Sequence, residues 1–139
     1  MAVSHCLDTN VLVYAFSKAP RDAVKGRIAR DWINREDWGV TMQVLQEFYV
    51  NAVRVPDALR HDDAPAMIEE IASSRPVAAT ALPLMRHTLL LKSRYGIAYW
   101  DANLVAGAHQ PGAPVLVSED LSHGQLYGSV RVLNPFAAA

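Results

Sequence analysis

The sequence predicts an α/β fold: a three-layer α/β/α sandwich on a mostly parallel sheet of four or five strands. Three observations carry that expectation. Short apolar runs of the kind buried on both faces of a sheet alternate with segments of helical periodicity, and Pro and Gly punctuate the joins. The 139 residues, 51% of them hydrophobic, can bury a full core and fit one domain, residues 1–139.

Taken in order, residues 3–7 read as a strand, with Thr9 as the N-cap of a short helix through Val13 and Tyr14. Residues 21–34 form an amphipathic helix, with Ala23/Val24, Arg27/Ile28 and Asp31/Trp32 at helical spacing. After a short "WGV" strand, Thr41 caps a helix that places Met42, Leu45, Tyr49 and Ala52 on one face and Gln43, Glu47 and Asn51 on another. Pro56 closes it, and "HDDAPAMIEEIASS" reads as a helix opened by Asp62 or Asp63. "PVAATAL" reads as a strand, followed by a helix ending at Gly96 and a second, "YWDANLVAGAHQ", broken by "PGAP". "PVLVS" is a buried-type strand, "SVRVLNPF" supplies a last short one, and the terminal "AAA" frays.

Composition excludes several classes. Thirteen Lys and Arg nearly cancel fourteen Asp and Glu, a formal net charge of −1, so no broad electropositive surface is available to grip phosphates. The single cysteine, Cys6, allows neither an internal disulfide nor a thiolate set for zinc, and no two histidines show ligand spacing. A reducing cytoplasmic setting fits. Asp8 and Asn10 interrupt the only leader-like stretch, and no apolar run approaches membrane-spanning length, so no membrane association is expected.

Four acids are placed where acids are costly. Asp8 follows the first strand directly, and Asp120, in "VLVSEDLSHG", comes just after the strand ending near Val117. In parallel sheets ligands bind beyond the carboxyl ends of the strands. Asp101 has Leu104 and Val105 as its i+3 and i+4 neighbours, and Glu47 is flanked by Phe48 and Tyr49. Singly, three of them have an ordinary explanation: Asp8 as a helix cap, Asp101 as a first-turn acid favoured by the dipole, Glu47 as an exposed helical glutamate. Glu119 reads as a solvated neighbour of Asp120, although the sequence alone allows the two to be exchanged. If the four converge, mutual repulsion raises their pKa values unless a divalent cation sits among them. Carboxylates without histidine or thiolate suit Mg²⁺ or Mn²⁺, which activate water for attack on a phosphodiester.

The stretches "LDTNVLVYA", "VLQEFYVN", "YWDANLVAGA" and "VLVSEDLSHG", in this order across essentially the whole chain, resemble a PIN domain. The small size and the "SEDLSHG…VRVLNPF" ending resemble the VapC-like toxins of bacterial toxin–antitoxin pairs. The resemblance implies a Mg²⁺- or Mn²⁺-dependent endoribonuclease, often a homodimer, held inactive by a small antitoxin. By position it implies that Asp8, Glu47, Asp101 and Asp120 form the catalytic metal site, supported by Asn10 and Ser118. No acid of the set is missing.

Around that site, Arg86, Lys92 and Arg94 with Tyr95 offer an RNA-binding edge or a solvated helix face. His123 touches RNA or, as the preferred reading, caps its loop. Trp32, Trp38 and Trp100 read as core or interface anchors. Competing functions are a non-catalytic PIN-like module that binds RNA or protein, and a DNA-directed nuclease. A phosphatase with an aspartyl nucleophile is disfavoured, because Asn10 stands where its second acid belongs and no lysine follows a late strand.

Overall fold

The computed structural model describes residues 3–54 and 62–137. Its elements are β1 (His5–Leu7), α1 (Thr9–Phe16), a 3₁₀ turn (Pro20–Asp22), α2 (Ala23–Ile33), β2 (Trp38–Thr41), α3 (Met42–Arg54) and α4 (Ala64–Ser74). There follow β3 (Val77–Ala78), α5 (Leu82–Tyr95), α6 (Tyr99–His109), β4 (Val115–Val117), β5 (Leu126–Tyr127) and β6 (Val130–Leu133). The strands form one sheet in the order β3-β2-β1-β4-β6-β5, parallel except for the β5–β6 pair. Helices flank it: α1 packs on α2 and α3, α5 packs on α6, and α6 lies against β2, β4 and β6.

The predicted α/β sandwich therefore stands, with six strands in place of four or five. The additional strand, β5, pairs antiparallel with β6 through Leu126↔Arg131 and Tyr127↔Val130, joined by Gly128 and Ser129. Gly128 has φ 60°, which a side chain would resist in so tight a turn. Two residues, one of them exposed, are too few to show a period of two. At the other edge the strand expected over residues 76–82 shrinks to Val77–Ala78, because Ala79, Thr80 and Ala81 face solvent with no strand beyond them.

Other boundaries shift for local reasons. Asp8, not Thr9, caps α1: its backbone is extended, and Oδ1 accepts from the Thr9 N–H at 2.7 Å. The 3₁₀ turn opened by Pro20 delays α2 to Ala23. Thr41 caps α3 as expected, its hydroxyl accepting from Val44 N–H at 3.1 Å. The core-facing side of α3 is Val44, Leu45, Phe48 and Ala52, whereas Met42 and Tyr49 are exposed. α5 ends at Gly96 in the left-handed conformation, φ 64°, as predicted. Pro56 and the final two alanines lie outside the described residues.

The core is centred on β1, β4 and α6. Ala102 to Ala108 are all buried, and the small residues of "ANLVAGA" let α6 approach the sheet. A Cβ on Gly107 would run into the Thr41 side chain at the end of β2. Trp38 is buried and donates its indole N–H to Ile33 O, but Trp100 is 63% exposed and contributes no core. Among the described residues, no helix is long and apolar enough to cross a membrane.

Candidate functional site

The register of the sheet makes the site. β1 and β4 pair in parallel with Leu7 opposite Val117, so the residues that follow, Asp8 and Ser118, emerge side by side. β1 leads outward to β2 on one side and has β4 on the other, so their shared edge is the switch point of strand order. Open α/β sheets form their clefts at this point, because consecutive connections diverge there.

Asp8 is 5% exposed. Its Oδ2 accepts the Ser118 hydroxyl at 2.6 Å, and its Oδ1 accepts the Thr9 N–H. Burial dominates its acidity and pushes it up to about 6. The bonds from Ser118 and Thr9 oppose that rise, whereas the charges of Asp120 and Glu47 add to it. Asp120 is drawn in by Asn10, whose single amide nitrogen donates to Asp8 Oδ2 at 3.3 Å and to Asp120 Oδ2 at 3.2 Å. Two carboxylate acceptors fix the orientation of that amide, leaving Asn10 Oδ1 buried without a hydrogen-bond partner among the described residues.

Glu47 reaches the same edge from α3. Its Oε2 accepts the Thr9 hydroxyl at 2.9 Å, and its Oε1 accepts from Gln43 Nε2 at 2.6 Å. Asp101 stands in the first turn of α6, where the helix dipole favours an anion. Its carboxyl is raised above the usual range by burial first and by the charge of Asp120 second. The four predicted acids are thus linked in a chain: the charges of Glu47 and Asp120 bear on Asp8, and that of Asp120 bears on Asp101.

Glu119 keeps different company. Its Oε1 accepts from the Tyr14 hydroxyl at 2.7 Å and its Oε2 from Lys25 Nζ at 2.8 Å. Of the neighbouring pair, Asp120 is the acid that faces Asp8 through Asn10.

The PIN domain family model matches residues 5–128. The chain belongs to the PIN domain family. PIN domains are typically metal-dependent nucleases. Similar solved structures share the PIN fold at low identity. A toxin–antitoxin complex from Klebsiella pneumoniae superposes with a TM-score of 0.71 at 16% identity, covering 96% of this chain and 98% of that one. DNA-bound VapBC from Salmonella typhimurium gives 0.64 at 19%, covering 94% and 96%. A sarcin–ricin-loop-cleaving VapC toxin of Mycobacterium tuberculosis gives 0.62 at 15%, covering 81% and 87%. No curated protein is significantly similar to the chain in sequence.

Among the described residues, the side chains gathered at this PIN-domain edge offer oxygen to a cation: the carboxylates of Asp8, Glu47, Asp101 and Asp120. Among the described residues no three acidic, His or Cys side chains are gathered tightly enough to cage a bare ion. The edge opens at Glu47 into a cleft of about 800 Å³ whose lining includes Gln43, Asn51, Arg54, Leu82 and Trp100.

The predicted RNA-contact residues are not gathered with the acids. Arg86, Lys92 and Arg94 are exposed along α5. Arg94 lies over the Tyr95 ring and lines a separate cleft of about 380 Å³ with His87 and His109. His123 Nδ1 accepts from the Asn134 backbone N–H at 2.9 Å, the loop-capping role preferred from the sequence. Sequence reasoning missed Thr9 as the partner of Glu47, and Lys25 and Tyr14 as partners of Glu119. Nothing in local pattern marks the last two, since each meets Glu119 only across the fold.

Proposed function

We propose that this PIN domain is a Mg²⁺- or Mn²⁺-dependent endoribonuclease, the toxin of a toxin–antitoxin pair, working as a homodimer and silenced by a small antitoxin. The observation that carries the reading is the Asn10 amide bridging Asp8 and Asp120 at the switch point. Two acids are held about one hydrogen-bonding group apart, with a third and fourth adding repulsion, and among the described residues none of the four is ion-paired to a basic side chain. Two features fit a divalent ion: an all-oxygen donor set and a carboxyl at Asp8 raised by burial. The toxin–antitoxin neighbours support the partner, at the level of shared fold.

When bound, the ion supplies charge neutralisation at the phosphate and a more acidic water. Asp8, Asp101 and Asp120 would hold it, directly or through water. Ser118 keeps Asp8 in place by donating to Oδ2, and Asn10 sets the separation of Asp8 and Asp120. Glu47, aimed by the Thr9 hydroxyl, takes a proton from the attacking water.

The test is cleavage of single-stranded RNA, structured RNA and DNA by the purified chain with Mg²⁺, Mn²⁺ or EDTA, beside Asp101→Asn. Metal-dependent RNA cutting lost in the variant is expected. A folded, antitoxin-free chain that cuts no RNA overturns the ribonuclease reading.

A further inference from the structure

Lys25 sits on α2, outside the acid cluster, yet it is bound into the loop that presents Asp120. Its ammonium donates to Glu119 Oε2 at 2.8 Å and contacts the Tyr14 hydroxyl at 3.4 Å. It lies 5.0 Å from the Tyr14 ring centroid and 5.5 Å from that of Phe136, two rings that meet edge to face. The charge is therefore held by two aromatic rings and a carboxylate together. Glu119 has both oxygens occupied, one by α1 through Tyr14 and one by α2 through Lys25.

The loop after β4 is tied at each of three successive residues. Ser118 donates to Asp8 while its oxygen accepts from the Asp120 N–H at 3.1 Å. Glu119 is clamped by Tyr14 and Lys25, and Asp120 meets Asn10. Asp120 itself is exposed, so packing does little to hold it. What holds it is hydrogen bonding, its N–H to Ser118 and its carboxylate to Asn10.

We infer that Lys25, acting through Glu119 with Tyr14, is a positioning residue that fixes Asp120 at the acid site. In the same stroke it neutralises Glu119, which would otherwise add a fifth negative charge beside four that already repel. The inference rests on the metal-site reading given above. Partners one step removed from a ligand typically change metal affinity by about 10–100-fold when removed.

The experiment titrates Mn²⁺ calorimetrically into the full chain and into Lys25→Met, Lys25→Arg and Tyr14→Phe, with melting in EDTA and hydrogen exchange at the Asp120 amide. Lys25→Met is expected to bind Mn²⁺ about tenfold or more weakly and to exchange the Asp120 amide faster. Its melting temperature in EDTA should stay within about 4 °C, because a part-exposed ion pair contributes little to stability. Lys25→Arg, which keeps the charge and a forked donor, should restore affinity to within about threefold. Tyr14→Phe should fall between, and it decides the matter if Lys25→Met unfolds. Wild-type affinity in Lys25→Met, or equal losses in Lys25→Met and Lys25→Arg, overturns the inference. Absence of Mn²⁺ binding by the wild type overturns the metal reading instead; faster Asp120 exchange in Lys25→Met then still upholds the clamp, and unchanged exchange removes it.

Discussion

Ser118 donates its hydroxyl to Asp8 Oδ2 at 2.6 Å, joining residues 110 positions apart in the chain. The contact follows from the register of β1 on β4 and stands in for water that burial has taken from the carboxylate. Ser118→Ala leaves a buried acceptor short of one donor and the Asp120 N–H without its partner. A loss of about 1–3 kcal/mol is expected in urea unfolding, together with reduced cleavage. Wild-type stability in this variant would show that the pair contributes nothing.

Asp8 makes metal-free stability depend on pH in a particular direction. Its carboxyl is raised from 3.8 to about 6, chiefly by burial, so between those values the folded chain holds more of its proton than the unfolded one. Stability is therefore present in full below the lower value and is lost as pH rises through the upper. The loss is on the order of 2–3 kcal/mol. In EDTA, Asp8→Asn should melt higher than the wild type at pH 7.5, and the gap should close by about pH 4. Asp101, also raised by burial and by Asp120, adds in the same direction. A melting profile flat across this range in both proteins would contradict the assignment.

Divalent metal should reverse that penalty. Adding Mg²⁺ or Mn²⁺ at pH 7.5 should raise the melting temperature of the wild type, because an ion that binds only the folded state stabilises it by mass action. Asp8→Asn and Asp120→Asn should lose most of the rise. An equal rise in all three proteins would place binding elsewhere.

Glu47 tests the chemistry rather than the fold. It is exposed and held by Thr9 and Gln43, so Glu47→Gln should leave melting in EDTA nearly unchanged. Removing a base that acts in the transition state should lower kcat by about 100-fold or more with KM little altered. Steady-state cleavage of a fluorogenic RNA measures both constants.

Gly107 tests the close approach of α6 to β2. On propensity alone Gly107→Ala should stabilise the helix, by up to about 1 kcal/mol. The added Cβ meets the buried Thr41 side chain, whose hydroxyl caps α3. A net loss of about 1–3 kcal/mol is expected in urea unfolding, and a net gain would show that α6 has room to move.

Much of the candidate site is legible in residue type and position. Asp8 and Asp120 stand at strand ends whose apolar runs are self-evident, and Asp101 and Glu47 sit in strongly patterned helices. Their charge made them conspicuous against a half-hydrophobic chain. The β5 strand was not legible, although the Gly128-Ser129 pair between Tyr127 and Val130 is a hairpin signal that could have revealed it. Spacing puts Met42 and Tyr49 on one face with Leu45 and Ala52, but the buried side of α3 is Val44, Leu45 and Phe48, where Phe48 meets Phe16 of α1 edge to face. Periodicity defines an apolar stripe; the neighbour that covers it decides which edge is buried.

The sequence by itself determined the alternation of strands and helices, the caps at Thr41 and Gly96, and the acids at the carboxyl ends of strands. Those features depend on residues near one another in the chain. Only the tertiary structure decided which acid of the Glu119–Asp120 pair faces Asp8, that Asn10 joins Asp8 to Asp120, and that Lys25 reaches the loop after β4. Each of those outcomes is a contact between distant segments, set by sheet register and helix packing. Such contacts leave no local signature, because the same short motif is compatible with many partners until the chain has folded around it.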